Sequence, residues 1–164
     1  MRKSKFLEID VYDIDGVLLD SSHRYKTELY KGKQRIDLNH WRENEKNCIH
    51  DAPLPLAEHY EKRLNQKSVF VIIATSRVMS ALDYQVIESK LGKPRAIVSR
   101  LSNEQKGGLL KLHGCLHIFG QLKLNPKAIN IYEDNAEYLK IIADGFFNLG
   151  YNVKAHYVPS LQGH

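Results

Sequence analysis

Two aspartates one residue apart, Asp13 and Asp15, close the first apolar run of the chain, residues 6–12, and are followed by Gly16 and Val17. If that run is a β-strand, both carboxylates arrive at its C-terminal tip, two residues apart and on one side of the chain. Gly16 then permits a sharp turn that a residue with a Cβ resists. Neighbouring acids repel each other, and a hard cation with oxygen ligands relieves the repulsion. The carboxyl ends of parallel strands are also where open α/β sheets carry their chemistry. By itself, D-x-D-G fits a plain solvated turn equally well.

Three other groups stand where further strands end or later helices begin. Thr75, Ser76 and Arg77 follow the run 68–75, which is continuously apolar, rich in β-branched residues and suited to a strand covered on both faces. Glu133 and Asp134 follow a second apolar run, 128–132. Lys106 stands at the start of a helical segment after the short run 96–99. Carboxylates, hydroxyls, a lysine and an acid pair would thus share one edge of one sheet.

The elements that must position them alternate. Strands are expected at 6–13, 68–75, 96–99, 128–132 and 152–158. Helices are expected at 56–64, at 80–91 with Gly92 and Pro94 beyond it, and at 136–149 with Gly150 as its stop. A further helix is expected to open on a capping box at 102–105 and run to about His113. Glu8 and Asp10 are unusual inside a strand flanked on both faces. Residues 18–36 read as a polar, basic loop with a short hairpin or helix over the strand tips. Asp37 is the N-cap of a short helix reaching Cys48, and Pro53 and Pro55 break the pattern after it. Right-handed crossovers then give an α/β fold, a three-layer αβα sandwich with a mainly parallel, Rossmann-like sheet.

Length and composition bound the rest. The 164 residues suit a single domain, 1–164, with a small cap-like insert at about 18–66. Hydrophobic residues at 43% and charged residues at 26% are those of an ordinary globular chain. No apolar run approaches the roughly 18 residues that span a bilayer, so no membrane partner is expected. The basic N-terminus leads into a strand carrying Glu8 and Asp10 rather than a signal-peptide apolar region. Two distant cysteines, Cys48 and Cys115, make no disulfide framework, and a reducing, cytoplasmic location follows as the expectation. The formal charge of +5 favours an anionic partner without choosing among nucleic acid, nucleotide and plain solubility.

The motifs D-I-D-G-V, V-I-I-A-T-S-R, E-Q-K-G-G and I-N-I-Y-E-D-N, in this order from residue 6 to 158, resemble the haloacid dehalogenase (HAD) superfamily of phosphohydrolases. Within it, T-S-R, and Y-E-D followed by a helix and G-Y-N-V, are similar to polynucleotide kinase-phosphatase 3′-phosphatase domains. The resemblance implies an HAD-type sheet and a Mg²⁺-dependent phosphatase. Asp13 would be the nucleophile, forming an aspartyl-phosphate. Asp15 would protonate the leaving oxygen and later deprotonate water. Mg²⁺ would sit between Asp13, the backbone carbonyl of Asp15 and Asp134, with Glu133 contributing through water. Thr75, or Ser76 in its place, would hydrogen-bond a phosphoryl oxygen, Lys106 would neutralise the phosphate and Asp13, and Arg77 would grip the phosphate bidentately. Val17 stands where the superfamily frequently has Thr.

Plainer roles compete at several positions. Lys111 and Lys123 lie near Lys106 and could take its part. Arg77 fits surface charge, and Glu133-Asp134 fits a helix N-cap. His113, Cys115 and His117 have ligand-like spacing, but no partner pair accompanies them, so zinc is not expected. The insert leaves room for no large cap, which suits a large substrate such as a polynucleotide end, or a subunit that covers its neighbour; a nucleic-acid 3′-phosphate or a nucleotide is the expected phosphorylated substrate. The basic segment 23–35 offers contacts to phosphates beyond the one cleaved. The contrasting reading is a catalytically idle HAD-like module that binds nucleic acid or protein. A second aspartate at position 15 has no use in such a module.

Overall fold

The computed structural model describes residues 5–24, 26–101 and 106–160. The capping box expected at 102–105 lies outside the described residues, as does the end of the tail at 161–164. In chain order the elements are β1 (Glu8–Tyr12), β2 (Leu19–Asp20), β3 (Thr27–Tyr30), β4 (Lys33–Ile36), α1 (Leu38–Glu43), β5 (Ala52–Pro53), α2 (Leu56–Leu64), β6 (Val69–Ala74), α3 (Ala81–Lys90), β7 (Ala96–Val98), α4 (Gly107–Leu122), β8 (Ala128–Glu133), α5 (Ala136–Asn148) and β9 (Val153–Tyr157). A 3₁₀ segment, Glu45–His50, follows α1.

Five strands form one parallel sheet in the order β7-β6-β1-β8-β9. This is the expected αβα sandwich. Ile9 and Val11 of β1 join Phe70, Ile72, Ile129 and Ile131 on one face, which α4 and α5 cover through Leu112, Phe119, Ile142 and Phe146. The opposite face carries Tyr12, Val69, Val71 and Ile73 and packs against Tyr60, Val86 and Ile87 of α2 and α3. Alternation along each strand produces the two layers. The central position of β1 brings its C-terminal tip between those of β6 and β8, so three loops meet over one point.

The acids inside β1 have a structural account. Asp10 is fully buried and accepts from Arg63 Nε at 2.6 Å and Nη2 at 2.9 Å, and from Asn130 Nδ2 at 2.8 Å. Glu8 pairs with the same Arg63 at 3.2 Å. The buried charge is thereby paired and its oxygens are satisfied, which is the condition for keeping it inside.

The segment between β1 and α2 is the small insert. It comprises the antiparallel hairpin β3–β4, the two-residue pair β2–β5 and the short helix α1. Asp37 caps α1 by accepting the His40 N–H at 3.1 Å. The expected single helix to Cys48 is instead α1 plus the 3₁₀ segment, divided at Asn44, whose side chain bonds back to His40 O at 2.8 Å. Helix α4 runs nine residues past the expected end at His113, to Leu122. Gly114 does not end it, because the missing side chain is what lets the helix lie directly against Val98. Cys115 points into the core while His113 and His117 are exposed, so these three share no ligand geometry.

Candidate active site

Asp13 follows β1 directly, anchored by its N–H donating to Tyr132 O at 3.0 Å. Strand geometry ends at Tyr12, and the chain then folds into a tight loop in which Leu18 and Leu19 both donate to Ile14 O. Gly16 is left-handed at φ +79°, and a Cβ there would collide with Asp134 Oδ2 and Ser160 Oγ. The glycine is therefore needed twice, for the turn and for the approach of the acid from β8. Because alternation no longer applies past Tyr12, Asp13 and Asp15 do not share one set of partners, as the spacing alone had suggested.

Asp13, Glu133 and Asp134 converge, each offering an oxygen within 4.8 Å of the others. Lys111 of α4, itself buried, donates to Asp13 Oδ1 at 3.1 Å and to Glu133 Oε2 at 2.6 Å. The expected lysine, Lys106, is exposed at the N-cap of α4 and makes no ion pair among the described residues. Lys111 lies on the buried stripe Gly107, Gly108, Lys111, Leu112, Cys115 and Phe119, which faces the sheet. That stripe was the available signal: a lysine in register with apolar and small residues is aimed inward. Gly107 supports the geometry by close approach, since a Cβ there would come within 2.6 Å of the Tyr138 ring.

The charges around the triad do not balance. Three carboxylates face one ammonium. Burial, then the charge of Asp13, push the Glu133 carboxyl well above its ordinary range, and the same two causes push Asp134 up to about 8. Burial alone would lower the pKa of Lys111, but Asp13 and Glu133 outweigh it and raise it. Asp134 Oδ2 is buried with no hydrogen-bond partner among the described residues. An all-oxygen donor set, more carboxyl groups than cations and a buried carboxyl oxygen left without a donor fit a hard divalent cation such as Mg²⁺, which would take the place of the protons.

Asp15 belongs to a second cluster. Its carboxylate accepts from Arg77 Nε at 3.0 Å and Nη2 at 2.6 Å, and from the Ser21 hydroxyl. Burial raises the Asp15 pKa, but the Arg77 guanidinium more than offsets this and holds the group below the usual carboxylate range. Arg77 also bonds Asp83 Oδ1 at 2.7 Å and Asp51 Oδ2 at 2.9 Å. Buried and committed to three carboxylates, it is not the surface cation that its position after β6 suggested, nor a side chain reaching into open space for phosphate. Its anchors Asp51 and Asp83 come from the insert and from α3, and nothing local in the sequence marks them.

The hydroxyl pair after β6 also divides. Thr75 is fully buried, and its Oγ1 accepts the Arg77 N–H at 3.0 Å. Ser76 lines a cleft of about 420 Å³ shared with Asp13, Asp15, Lys111 and Asp134. Its Oγ is buried and has no hydrogen-bond partner among the described residues, while the Thr75 hydroxyl, an acceptor from Arg77, keeps its own proton to donate. The insert forms the far wall of this cleft through Gln34, Ile36, Trp41 and Arg42.

Comparison with known proteins follows the same lines. The structure resembles the HAD domain of the Legionella pneumophila effector Lem4 (TM-score 0.63, 13% identity, 97% of this chain and 90% of that one). It also resembles a haloacid dehalogenase-like hydrolase of Streptococcus pneumoniae (TM-score 0.61, 14% identity, 96% and 88%). At such identities the likeness establishes the fold. A 5′-deoxynucleotidase of Escherichia phage T5 is 31% identical over 85 residues, 49% of this chain and 34% of that protein. The matched stretch thus spans about a third of that relative's length. A family profile described as bacteriophage T5 5′-deoxynucleotidase matches residues 1–103, which include Asp13, Asp15, the insert and the Thr75–Arg77 turn. With its sheet of HAD type and more than half its residues matched, the chain belongs to the bacteriophage T5 5′-deoxynucleotidase family.

Proposed function

We propose that the protein is a Mg²⁺-dependent phosphomonoesterase that hydrolyses the 5′-phosphate of deoxynucleoside monophosphates. The observation that carries the reading is the triad of Asp13, Glu133 and Asp134 bridged by Lys111, with Asp15 and Ser76 in the same cleft. Asp13, Asp134 and Glu133 would hold the cation, which supplies charge neutralisation to the phosphoryl group when bound. Asp13 attacks phosphorus in line, forming an O–P bond as the bond to the nucleoside 5′-oxygen breaks. Lys111 lies against the nucleophile and shares the phosphate charge, and the Thr75–Ser76 turn supplies a hydroxyl to a phosphoryl oxygen. Asp15, which Arg77 holds as a carboxylate in the free site, takes up a proton as substrate binds and delivers it to the leaving oxygen. It then takes one from the water that opens the aspartyl-phosphate, which returns Asp13 and releases inorganic phosphate. Arg77 positions Asp15 rather than the substrate.

The name of the phage T5 relatives supports a mononucleotide, and a cleft of about 420 Å³ is of the size that encloses small ligands. A nucleic-acid 3′-phosphate would use the same phosphoryl chemistry, so it forms the comparison. Phosphate release from the four deoxynucleoside 5′-monophosphates should be Mg²⁺-dependent, lost in Asp13→Asn, and at least tenfold more efficient than from a 3′-phosphorylated oligonucleotide. The opposite order of efficiencies would move the assignment to the polynucleotide. Salt-dependent oligonucleotide binding without any turnover would make the chain an idle binding module.

A further inference from the structure

The insert wall of the cleft has a chemistry that phosphoryl transfer does not use. Besides Asp13, Lys111, Ser76 and Asp134, the cavity is lined by Trp41 and Ile36 and by Gln34, Arg42 and Glu45. A phosphate has no use for an indole, and a bare sugar phosphate is held by hydrogen bonds. A flat ring with polar edges uses both an aromatic surface and side chains that donate and accept. Gln34 offers both a donor and an acceptor, Glu45 an acceptor, and Arg42, which makes no ion pair among the described residues, a cation.

Trp41 is also held where it stands. The Arg24 guanidinium lies 3.8 Å from the centre of its ring. Arg24 is fully buried, and none of its three side-chain nitrogens makes a hydrogen bond to a described residue. Only longer ion pairs compensate its charge, to Asp51 at 3.6 Å and Asp83 at 3.8 Å. A buried guanidinium without hydrogen bonds is costly. Its position is explained by cation–π contact with an indole that the fold keeps in register. Asp51 and Asp83 are the same acids that bind Arg77, and Arg77 in turn holds Asp15. The Arg77 Cζ lies 5.4 Å from the Trp41 ring centre. The indole is therefore tied to the catalytic acid through one buried ionic network.

We infer that Trp41 is the base-binding platform of a nucleoside subsite, with the nucleobase packed against the indole and its edge read by Gln34, Arg42 and Glu45. This rests on the phosphomonoesterase reading and adds the part of the substrate that the insert recognises. Arg24 acts as a positioning residue: it orients the indole and does not touch the nucleotide. Discrimination between nucleotides and base-free sugar phosphates then arises in the insert, while the phosphoryl chemistry stays at the strand tips.

Trp41 is the single tryptophan of the chain, so its fluorescence reports on the subsite directly. Full-length Asp13→Asn protein is titrated in Mg²⁺ with thymidine 5′-monophosphate, 2-deoxyribose 5-phosphate and inorganic phosphate. Saturable quenching by the nucleotide that the two base-free ligands do not reproduce is the expected result. In an otherwise wild-type chain, Trp41→Ala should lower the ratio of kcat/KM for the nucleotide over that for 2-deoxyribose 5-phosphate by about tenfold or more. Trp41→Phe should restore most of that ratio. Equal quenching by 2-deoxyribose 5-phosphate, or a Trp41→Ala loss that is the same for both substrates, would overturn the subsite. So would hydrolysis of the nucleotide by wild type with no fluorescence response in the Asp13→Asn protein, and the phosphatase reading would then survive alone. Quenching with no hydrolysis by wild type would remove the phosphatase reading and leave the subsite. Neither binding nor hydrolysis of the nucleotide would overturn both.

Discussion

Lys111 Nζ lies 3.1 Å from Asp13 Oδ1, 98 residues away in the chain, and 2.6 Å from Glu133 Oε2, 22 residues away, so it joins the acid after β1 to the acid that closes β8. Removing one partner of a buried ion pair typically costs about 3–5 kcal/mol, because the other charge stays behind. Lys111→Met should therefore lower the melting temperature and reduce phosphatase turnover at least about 100-fold. Lys106→Ala should change stability by no more than about 0.5 kcal/mol, as for an ordinary surface position. Parallel melts and phosphate-release assays on the two variants decide between these lysines.

Asp134→Asn removes the carboxylate that has a buried oxygen without a partner. In EDTA the variant should melt at least as high as wild type, since a repulsive charge is gone. Mg²⁺ is expected to raise the melting temperature of wild type, and that rise should be absent from the variant. A variant that keeps the full Mg²⁺ shift would place the cation elsewhere.

The acid cluster makes that shift pH-dependent. The Asp134 carboxyl titrates at about 8 in the fold against an ordinary 3.8, so between those values the folded state binds more protons than the unfolded one. The stability this contributes is complete at low pH and is lost as pH rises towards 8. A cation binds the deprotonated form and offsets the loss. The Mg²⁺-induced rise in melting temperature should accordingly grow from pH 6 to pH 8.5. A shift independent of pH would mean that the cation does not compete with these protons.

Asp15 is bound to Arg77 and Ser21 and stands outside the carboxylate triad. Asp15→Asn should slow hydrolysis by about 10²–10⁴-fold, the usual worth of a general acid–base group, while keeping the Mg²⁺ shift. Loss of that shift in the variant would count against the acid–base role.

The parallel sandwich and the gathering of acids at one edge were legible in the chain because they depend on local patterns. Unbroken apolar runs form buried strands, amphipathic segments between them form helices, and right-handed crossovers bring every strand tip to the same side. Asp13, Glu133 and Asp134 follow from that logic alone. Glu8 and Asp10 remained unexplained at that stage because Arg63 and Asn130, which satisfy Asp10, lie 53 and 120 residues away.

Tertiary packing decided the assignments that depend on where a side chain points. The phase of α4 against the sheet puts Lys111, not Lys106, against Asp13, and Arg77, expected to grip phosphate or to be surface charge, is instead held among Asp15, Asp51 and Asp83. Burial turns Thr75 inward, where its Oγ1 accepts from the Arg77 N–H. The physical reason is common to all three: a charged or hydroxyl side chain carries several possible roles, and its burial and its partners come from segments far away in the chain.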